Sequence, residues 1–225
     1  PRELGHPDLV VLPGTKNTMD DLRWLRESGM EAAVLKHASA GGAVIGICGG
    51  YQMLGENLSD PHGVEAGGTM RGIGLLPVDT VFAEHKTRTQ VCGKFLELDE
   101  EFAPLKNVEF TGYEIHMGET TYEPGGTVFS AIAETVGTQH VDEAMANGCQ
   151  YQNAAGSYVH GLFDSVEMQK ALLRLLCQKK GLPEEAVSWI DEKVYKEQQY
   201  DKLAEGLREN MDMAKIYQIL EEGLA

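Results

Sequence analysis

The sequence predicts an α/β fold: an open, mostly parallel sheet with flanking helices and a C-terminal helical extension. Three observations predict it. Apolar runs and helical periodicity alternate as strand, helix, strand, helix as far as Leu58, the order that builds a parallel sheet covered on both faces. The second apolar run ends in Gly46-Ile47-Cys48-Gly49-Gly50, a glycine-flanked turn between a strand and a helix. The last stretch of the chain carries apolar residues at helical spacing.

In chain order, residues 8–12 are an apolar run closed by Pro13-Gly14, a buried strand meeting a turn. Residues 20–37 put Leu22, Leu25, Met30 and Val34 on one helical face. Residues 43–47 are too few and too rich in β-formers for a helix and read as a second buried strand. Residues 51–58 then read as helix. From about residue 71 the pattern changes to strands separated by turns, at 73–82, 90–98, 108–116 and 127–133, with one more short strand at 156–160. Asp164, Ser165 and Glu167 open a helix that runs to about Lys179. Asp164 and Glu167 stand at capping-box spacing, and Met168, Leu172 and Leu176 form its buried face. Gly181-Leu182-Pro183 stops it. Residues 191–222 are helical again, with Tyr200, Leu203, Leu207, Ala214 and Leu220 on one stripe. The expected division is an α/β domain over 1–182 and a helical extension over 183–225, packed on that domain or on a partner.

Of the 225 residues, 42% are hydrophobic and 24% charged, the balance of an ordinary globule with a real core. Lys and Arg total 19 against 35 Asp and Glu, a net charge of -16. That charge disfavours nucleic acid and anionic membranes as partners, because both need a cationic face. The four cysteines, Cys48, Cys92, Cys149 and Cys177, show no two-residue metal or redox spacing. With no signal peptide, reduced thiols and a cytoplasmic location are expected.

The turn at Cys48 carries the chemistry. A nucleophile between strand and helix sits on a sharp, strained turn, and small residues on both sides let the backbone fold that tightly. The turn lifts the side chain into the cleft at the C-terminal edge of the sheet, where open α/β sheets bind ligands. The helix N-terminus behind it should lower the thiol pKa. A thiolate also needs a base. His160, in Gly156-Ser157-Tyr158-Val159-His160-Gly161, ends a late strand, and the C-terminal edges of parallel strands converge, so it can reach Cys48. Two backbone donors complete an oxyanion hole: Gly49 beside the nucleophile, and Gly14 in the turn Pro13-Gly14-Thr15-Lys16-Asn17-Thr18 after the first strand. That turn lacks the two-glycine spacing of a phosphate loop. Glu114 and His116, two apart on a predicted strand, face one side. They lack the third ligand that a metal site needs, and they are read as candidate substrate or domain-interface contacts. No metal site is expected.

Together these residues resemble a known family. The elbow Gly46 to Gly55 (GICGGYQMLG), the turn PGTKNT, the segment Gly112-Tyr113-Glu114-Ile115-His116-Met117-Gly118 and the late Tyr158-Val159-His160-Gly161 are similar, in this order, to the amidotransferase domain of cobyric acid synthases. Residues 60–65 and Gly74-Leu75-Leu76-Pro77 fit as well. The resemblance implies the flavodoxin-like fold of class I glutamine amidotransferases and hydrolysis of glutamine through a Cys48 thioester. It implies that the ammonia serves ATP-dependent amidation of adenosylcobyrinic acid a,c-diamide. ATP and Mg, with the corrinoid acceptor, would lie on an N-terminal synthetase domain, in the same longer chain or a separate subunit. No cofactor is expected in this chain itself. Against the family pattern, the chain is expected to be a fragment that starts at the second strand of that fold. Better-known class I enzymes carry a glutamate two residues after the histidine, and here that position is Leu162. Asp164, Glu114 and His116 remain as alternatives for the third catalytic group, or a carboxylate could come from the partner domain. Two rival functions share the elbow: an amidotransferase of another ligase (cobyrinic acid a,c-diamide synthase or a cell-wall amidating complex), and a non-catalytic interaction module that kept the fold.

Overall fold

The computed structural model describes residues 4–136, 139–140, 144–184 and 192–223. They fall into two units, Pro1–Glu184 and Glu185–Ala225. In the first unit, β1 (Leu9–Leu12) leads into α1 (Thr18–Glu27), α2 (Met30–Ser39), β2 (Ala43–Ile47) and α3 (Gly49–Leu54). The helix expected over 20–37 is two helices. Gly29 takes a left-handed φ of 79° as the N-cap of α2, a conformation that ends a helix and that glycine adopts at little cost.

β2 is the centre of the parallel region. It pairs with β1 on one side, from Leu9↔Ala43 to Leu12↔Gly46. On the other it pairs with β10 (Ala154–Ser157), from Ala154↔Val44 to Ser157↔Ile47. All five β2 residues are buried, as a continuous apolar run requires when both faces of the sheet are covered. Alternation along the strand then feeds two cores. Val44 packs with Leu12, Leu22, Tyr51, Leu54 and Phe82, and Ile45 packs with Phe95, Phe110, Phe129 and Leu175 on the opposite face.

Beyond the elbow the expected boundaries shift. The helix read over 51–58 stops at Leu54, and β3 (Asn57–Asp60) and β4 (Gly68–Arg71) follow it. The strands expected at 73–82 and 90–98 are one strand, β5 (Val78–Phe95). Its register shifts between Phe82 and Thr87, so the charged Glu84, His85 and Lys86 ride on an exposed irregularity instead of ending the strand. β6 (Glu109–Tyr122), β7 (Thr127–Val136), β8 (Gln139–His140) and β9 (Met145–Tyr151) complete the region. The strand expected at 156–160 divides into β10 and β11 (Val159–His160). β10 stays beside β2, while β11 crosses over to pair with β6.

The order is β1-β2-β10-β9-β7-β5-β3-β4, with β6 on β5, β11 on β6 and β8 on β7. The fold is the expected α/β class: an open sheet whose ladders β1–β2, β2–β10 and β3–β5 are parallel. Antiparallel ladders widen this sheet into a mixed one. α4 (Val166–Lys180) packs Met168, Ala171 and Leu175 into the second core. The capping box expected of Asp164 and Glu167 is not what starts it. Ser165 is the N-cap, its side chain accepting from Met168 N at 3.0 Å, and Asp164 sits one residue too early, inside a 3-10 turn. In the second unit, α5 (Glu192–Asn210) and α6 (Met213–Glu222) occupy the stretch expected as a last helix. The break falls at Asp212, which caps α6 by accepting from Lys215 N at 3.1 Å. Residues 185–191 and 224–225 of the expected extension lie outside the described residues.

Candidate active site

The elbow has the strain that its sequence announces. Cys48 adopts φ 51° and ψ -111°, a region that costs a non-glycine residue of order 1–3 kcal/mol and persists where the surroundings impose it. The neighbouring glycines are those surroundings. A Cβ on Gly46 would stand 2.6 Å from Gly50 O, and one on Gly50 would stand 2.1 Å from Leu12 O. Both contacts are with backbone, which cannot yield. The Cys48 N–H donates to Ser157 O at 2.8 Å, tying the elbow to the neighbouring strand just beyond the last β2–β10 pair.

His160 arrives from that same neighbour. After β10 ends level with β2, β11 pairs with β6, placing His160 opposite Tyr113. The two rings stack, with centroids 5.1 Å apart and planes 5° from parallel. Gly14 fills the narrow space between the two candidate catalytic residues. A Cβ there would stand 2.9 Å from His160 Cε1 and 3.5 Å from Cys48 Cβ. Gly49 in turn lies under the 14–18 turn, where a Cβ would meet Thr15 Oγ1 at 2.5 Å. The expected quartet of Cys48, His160, Gly14 and Gly49 is therefore one cluster in space.

That cluster borders a cavity of about 440 Å³. Cys48, His160, Gly14, Tyr113 and His116 line it, and Glu65 and Lys86 put charge on its wall. Glu65 is anchored by accepting from Met19 N at 3.1 Å. Lys86 comes from the β5 irregularity. Gln52, one turn past the nucleophile, is buried and bridges the floor. It accepts from Thr18 Oγ1 at 3.0 Å and donates to Tyr158 OH at 3.2 Å. A larger cavity, about 580 Å³, lies against Cys92, Phe110 and Ile132, but no histidine faces it.

The electrostatics correct one expectation. The Cys48 thiol is pushed up, not down. Burial dominates, and Glu114 and Glu65 add to it, while the Gly49 N–H and the Lys86 charge oppose it. A short helix end at a dry site loses to desolvation. The thiol proton is engaged at rest, Sγ donating to Ile115 O at 3.4 Å. Burial pulls His160 the other way, below the ordinary histidine value. The resting pair is therefore a neutral thiol beside a neutral imidazole. This suits a base that takes the proton when substrate arrives.

Glu114 and His116 do share a side, with Glu114 Oε1 3.9 Å from His116 Nε2, yet only His116 reaches the cavity wall. His116 stacks on Tyr158 at 3.8 Å. Its Nδ1 meets Gly118 O at 2.9 Å; a carbonyl only accepts, so Nδ1 carries the proton. The Glu114 carboxyl turns inward to accept from Asn147 Nδ2 at 2.7 Å, and burial, ahead of every other influence, raises it to about 7. Leu162 is buried, and neither Asp164 nor Glu114 is hydrogen-bonded to the His160 ring. Among the described residues no cluster of three metal-ligating side chains occurs, and no helix is long and apolar enough to cross a membrane. Tyr113, Glu65 and Lys86 escaped the sequence reading. Tyr113 and Glu65 lay inside quoted segments without a role, and Lys86 lies in a charged stretch that the sequence reading left between two strands.

The chain is similar to proteins of known family. Residues 1–168 match the CobB/CobQ-like glutamine amidotransferase domain. A cobyric acid synthase of Ruminiclostridium cellulolyticum is 48% identical over 225 residues, covering 99% of this chain and 43% of the relative. One of Lachnoclostridium phytofermentans is 46% identical over 230 residues, covering 99% and 44%. The chain thus spans less than half the length of these relatives. Among solved structures, PurLQS from Thermotoga maritima superposes with a TM-score of 0.54 at 16% identity, covering 80% of this chain and 82% of that one, a likeness of fold.

Proposed function

The chain belongs to the CobB/CobQ-like glutamine amidotransferase domain family, and from that premise we propose that it is the glutaminase component of a cobyric acid synthase. The observation that carries the reading is the strained Cys48 elbow, separated from His160 by a glycine that leaves no room for a side chain. The relatives' name, cobyric acid synthase, supports the acceptor that the sequence resemblance implies. Ammonia released here serves amidation of adenosylcobyrinic acid a,c-diamide on a synthetase region, where ATP and Mg bind. The remaining length of the relatives has room for such a region. Four cysteines that are all thiols fit a cytoplasmic enzyme.

The chemistry follows from the cluster. Glutamine enters the cavity with its side-chain amide at Cys48. The thiol leaves Ile115 O, His160 accepts its proton, and sulfur attacks the amide carbon. The Gly49 N–H, already facing the sulfur, and the Gly14 N–H, which has no acceptor among the described residues, receive the negative charge on oxygen. His160 returns the proton to the departing nitrogen, ammonia leaves, and water cleaves the thioester to glutamate, the same imidazole serving again as base. Glu65 and Lys86 are placed to hold the charged amino-acid end.

Among the described residues no carboxylate is hydrogen-bonded to the His160 ring. The expected outcome is that this chain alone hydrolyses glutamine poorly and that the synthetase region, with ATP and acceptor, raises the rate strongly. Loss of a group that orients the histidine can cost about 10⁴ in turnover. Glutamate release by the chain alone and by the complete enzyme measures it. Equal rates would place the orienting group within this chain.

A further inference from the structure

We infer that Ser157, Asn147 and Glu114 form a positioning chain that sets nucleophile and base relative to each other, an inference that rests on the glutaminase reading above. Ser157 is the joint. Its carbonyl accepts the Cys48 N–H at 2.8 Å, while its hydroxyl accepts the Val159 N–H at 3.1 Å, the residue before His160. The same hydroxyl donates to Asn147 Oδ1 at 2.7 Å, and Asn147 Nδ2 donates to Glu114 Oε1 at 2.7 Å. Ser130 closes the far side, its hydroxyl donating to Asn147 O at 3.1 Å.

Every polar atom in this path has one assigned direction. The Ser157 hydroxyl has a single proton, and it is used on Asn147. That fixes the Asn147 amide with oxygen toward Ser157 and nitrogen toward Glu114. Glu114, Asn147 and Ser157 are 7%, 5% and 0% exposed. A buried polar network of this kind costs desolvation that apolar residues of the same size would avoid, and it is stable only when fully satisfied. What the network supplies is geometry. β11 is two residues long, too short to be held firmly by its own two pairs with β6, and His160 is its last residue. The side-chain path fastens β11 to β10, β9 and β6 at once, and through Ser157 to the elbow itself. Glu114 stands directly opposite Val159 in the β6–β11 register. So it holds the base's strand from both its backbone and its side chain, without touching the imidazole or the cavity. Small displacements of such a pair are costly, since a shift of about 1 Å can lower turnover about 10²-fold.

The test is steady-state glutaminase kinetics of Glu114→Ala and Glu114→Gln in the complete enzyme, with ammonia-driven amidation as the check on folding. Glutamine at position 114 can still accept from Asn147 Nδ2, and alanine cannot. Glu114→Ala should lower kcat about 10²-fold with KM for glutamine nearly unchanged and ammonia-driven amidation intact, and Glu114→Gln should restore most of kcat. Wild-type kcat in Glu114→Ala overturns the inference. So does a Gln variant as slow as the Ala variant, which would mean that the carboxyl acts chemically, and so does a change confined to KM. A parallel loss of ammonia-driven amidation overturns it too, as a general structural collapse. If the wild-type enzyme amidates from ammonia but never from glutamine, the glutaminase reading itself fails and this inference falls with it.

Discussion

In the complete enzyme, Cys48→Ala is expected to abolish amidation from glutamine and to leave amidation from free ammonia at the wild-type rate. The two activities separate because they use different chemistry. On the proposed mechanism glutamine nitrogen is released through a covalent bond to the Cys48 sulfur, and among the described residues no second cysteine lines the cavity. Cys149 is fully buried in the core and its thiol is pushed up to about 11, while Cys92 and Cys177 do not line it. Free ammonia needs only the synthetase chemistry. The substitution removes one sulfur atom from a position whose backbone is fixed by Gly46, Gly50 and Ser157, so the elbow keeps its shape. Loss of a covalent nucleophile can cost about 10⁶ in turnover, as in a serine protease. Parallel assays with glutamine and with ammonium salt check it. Residual glutamine use above about a thousandth of wild type would point to another nucleophile.

His160→Ala lowers glutamine hydrolysis about 10²- to 10⁴-fold, the worth of a general base, with the thermal unfolding midpoint nearly unchanged because His160 is only partly buried. The variant also changes the pH profile. The imidazole must be neutral to take the thiol proton. Burial holds its pKa below the ordinary 6.5, so kcat/KM of the wild-type enzyme stays level from pH 7 downward until below that value and then falls as His160 is protonated. In His160→Ala that acid limb disappears and the remaining activity rises with pH through the raised ionisation of the Cys48 thiol. Glutamate release measured between about pH 5 and 9 distinguishes the two profiles. An acid limb that survives the substitution would transfer the base role to His116.

The parts legible in the sequence were those written in contiguous residues. The elbow spells itself out because its glycines are forced by backbone contacts at Gly50 O and Leu12 O. The strand before it reads as buried because both of its faces are covered. The nearness of His160 to Cys48 was legible because β10, the parallel neighbour of β2, leads the chain to the same sheet edge, but the antiparallel pairing of β11 with β6 that holds His160 there was not. Long β5 was not legible. Its charged residues Glu84, His85 and Lys86 look like a turn until the partner strand shows that they lie on an irregularity. Asp164 misled because it alone has a glutamate, Glu167, at capping-box spacing, whereas the N-cap in use, Ser165, has Met168 there and is identified only by its hydrogen bond to Met168 N. The raised thiol was out of reach as well. The sequence shows a helix end behind Cys48, but burial, which outweighs it, is a property of the whole fold. Asn147 carries no local signal at all. It matters only because β9 lies between β7 and β10, a neighbour relation set by tertiary pairing.

Covalent trapping shows whether Cys48 is the nucleophile of a glutamine-hydrolysing site. The enzyme is treated with a glutamine analogue bearing an electrophile in place of the side-chain amide, such as a diazoketone, digested, and examined by mass spectrometry. A single adduct is expected on the peptide containing Gly46-Ile47-Cys48-Gly49-Gly50, formed at a rate that excess glutamine suppresses and that Cys48→Ala abolishes. An adduct on Cys92, Cys149 or Cys177 with Cys48 unmodified would contradict it.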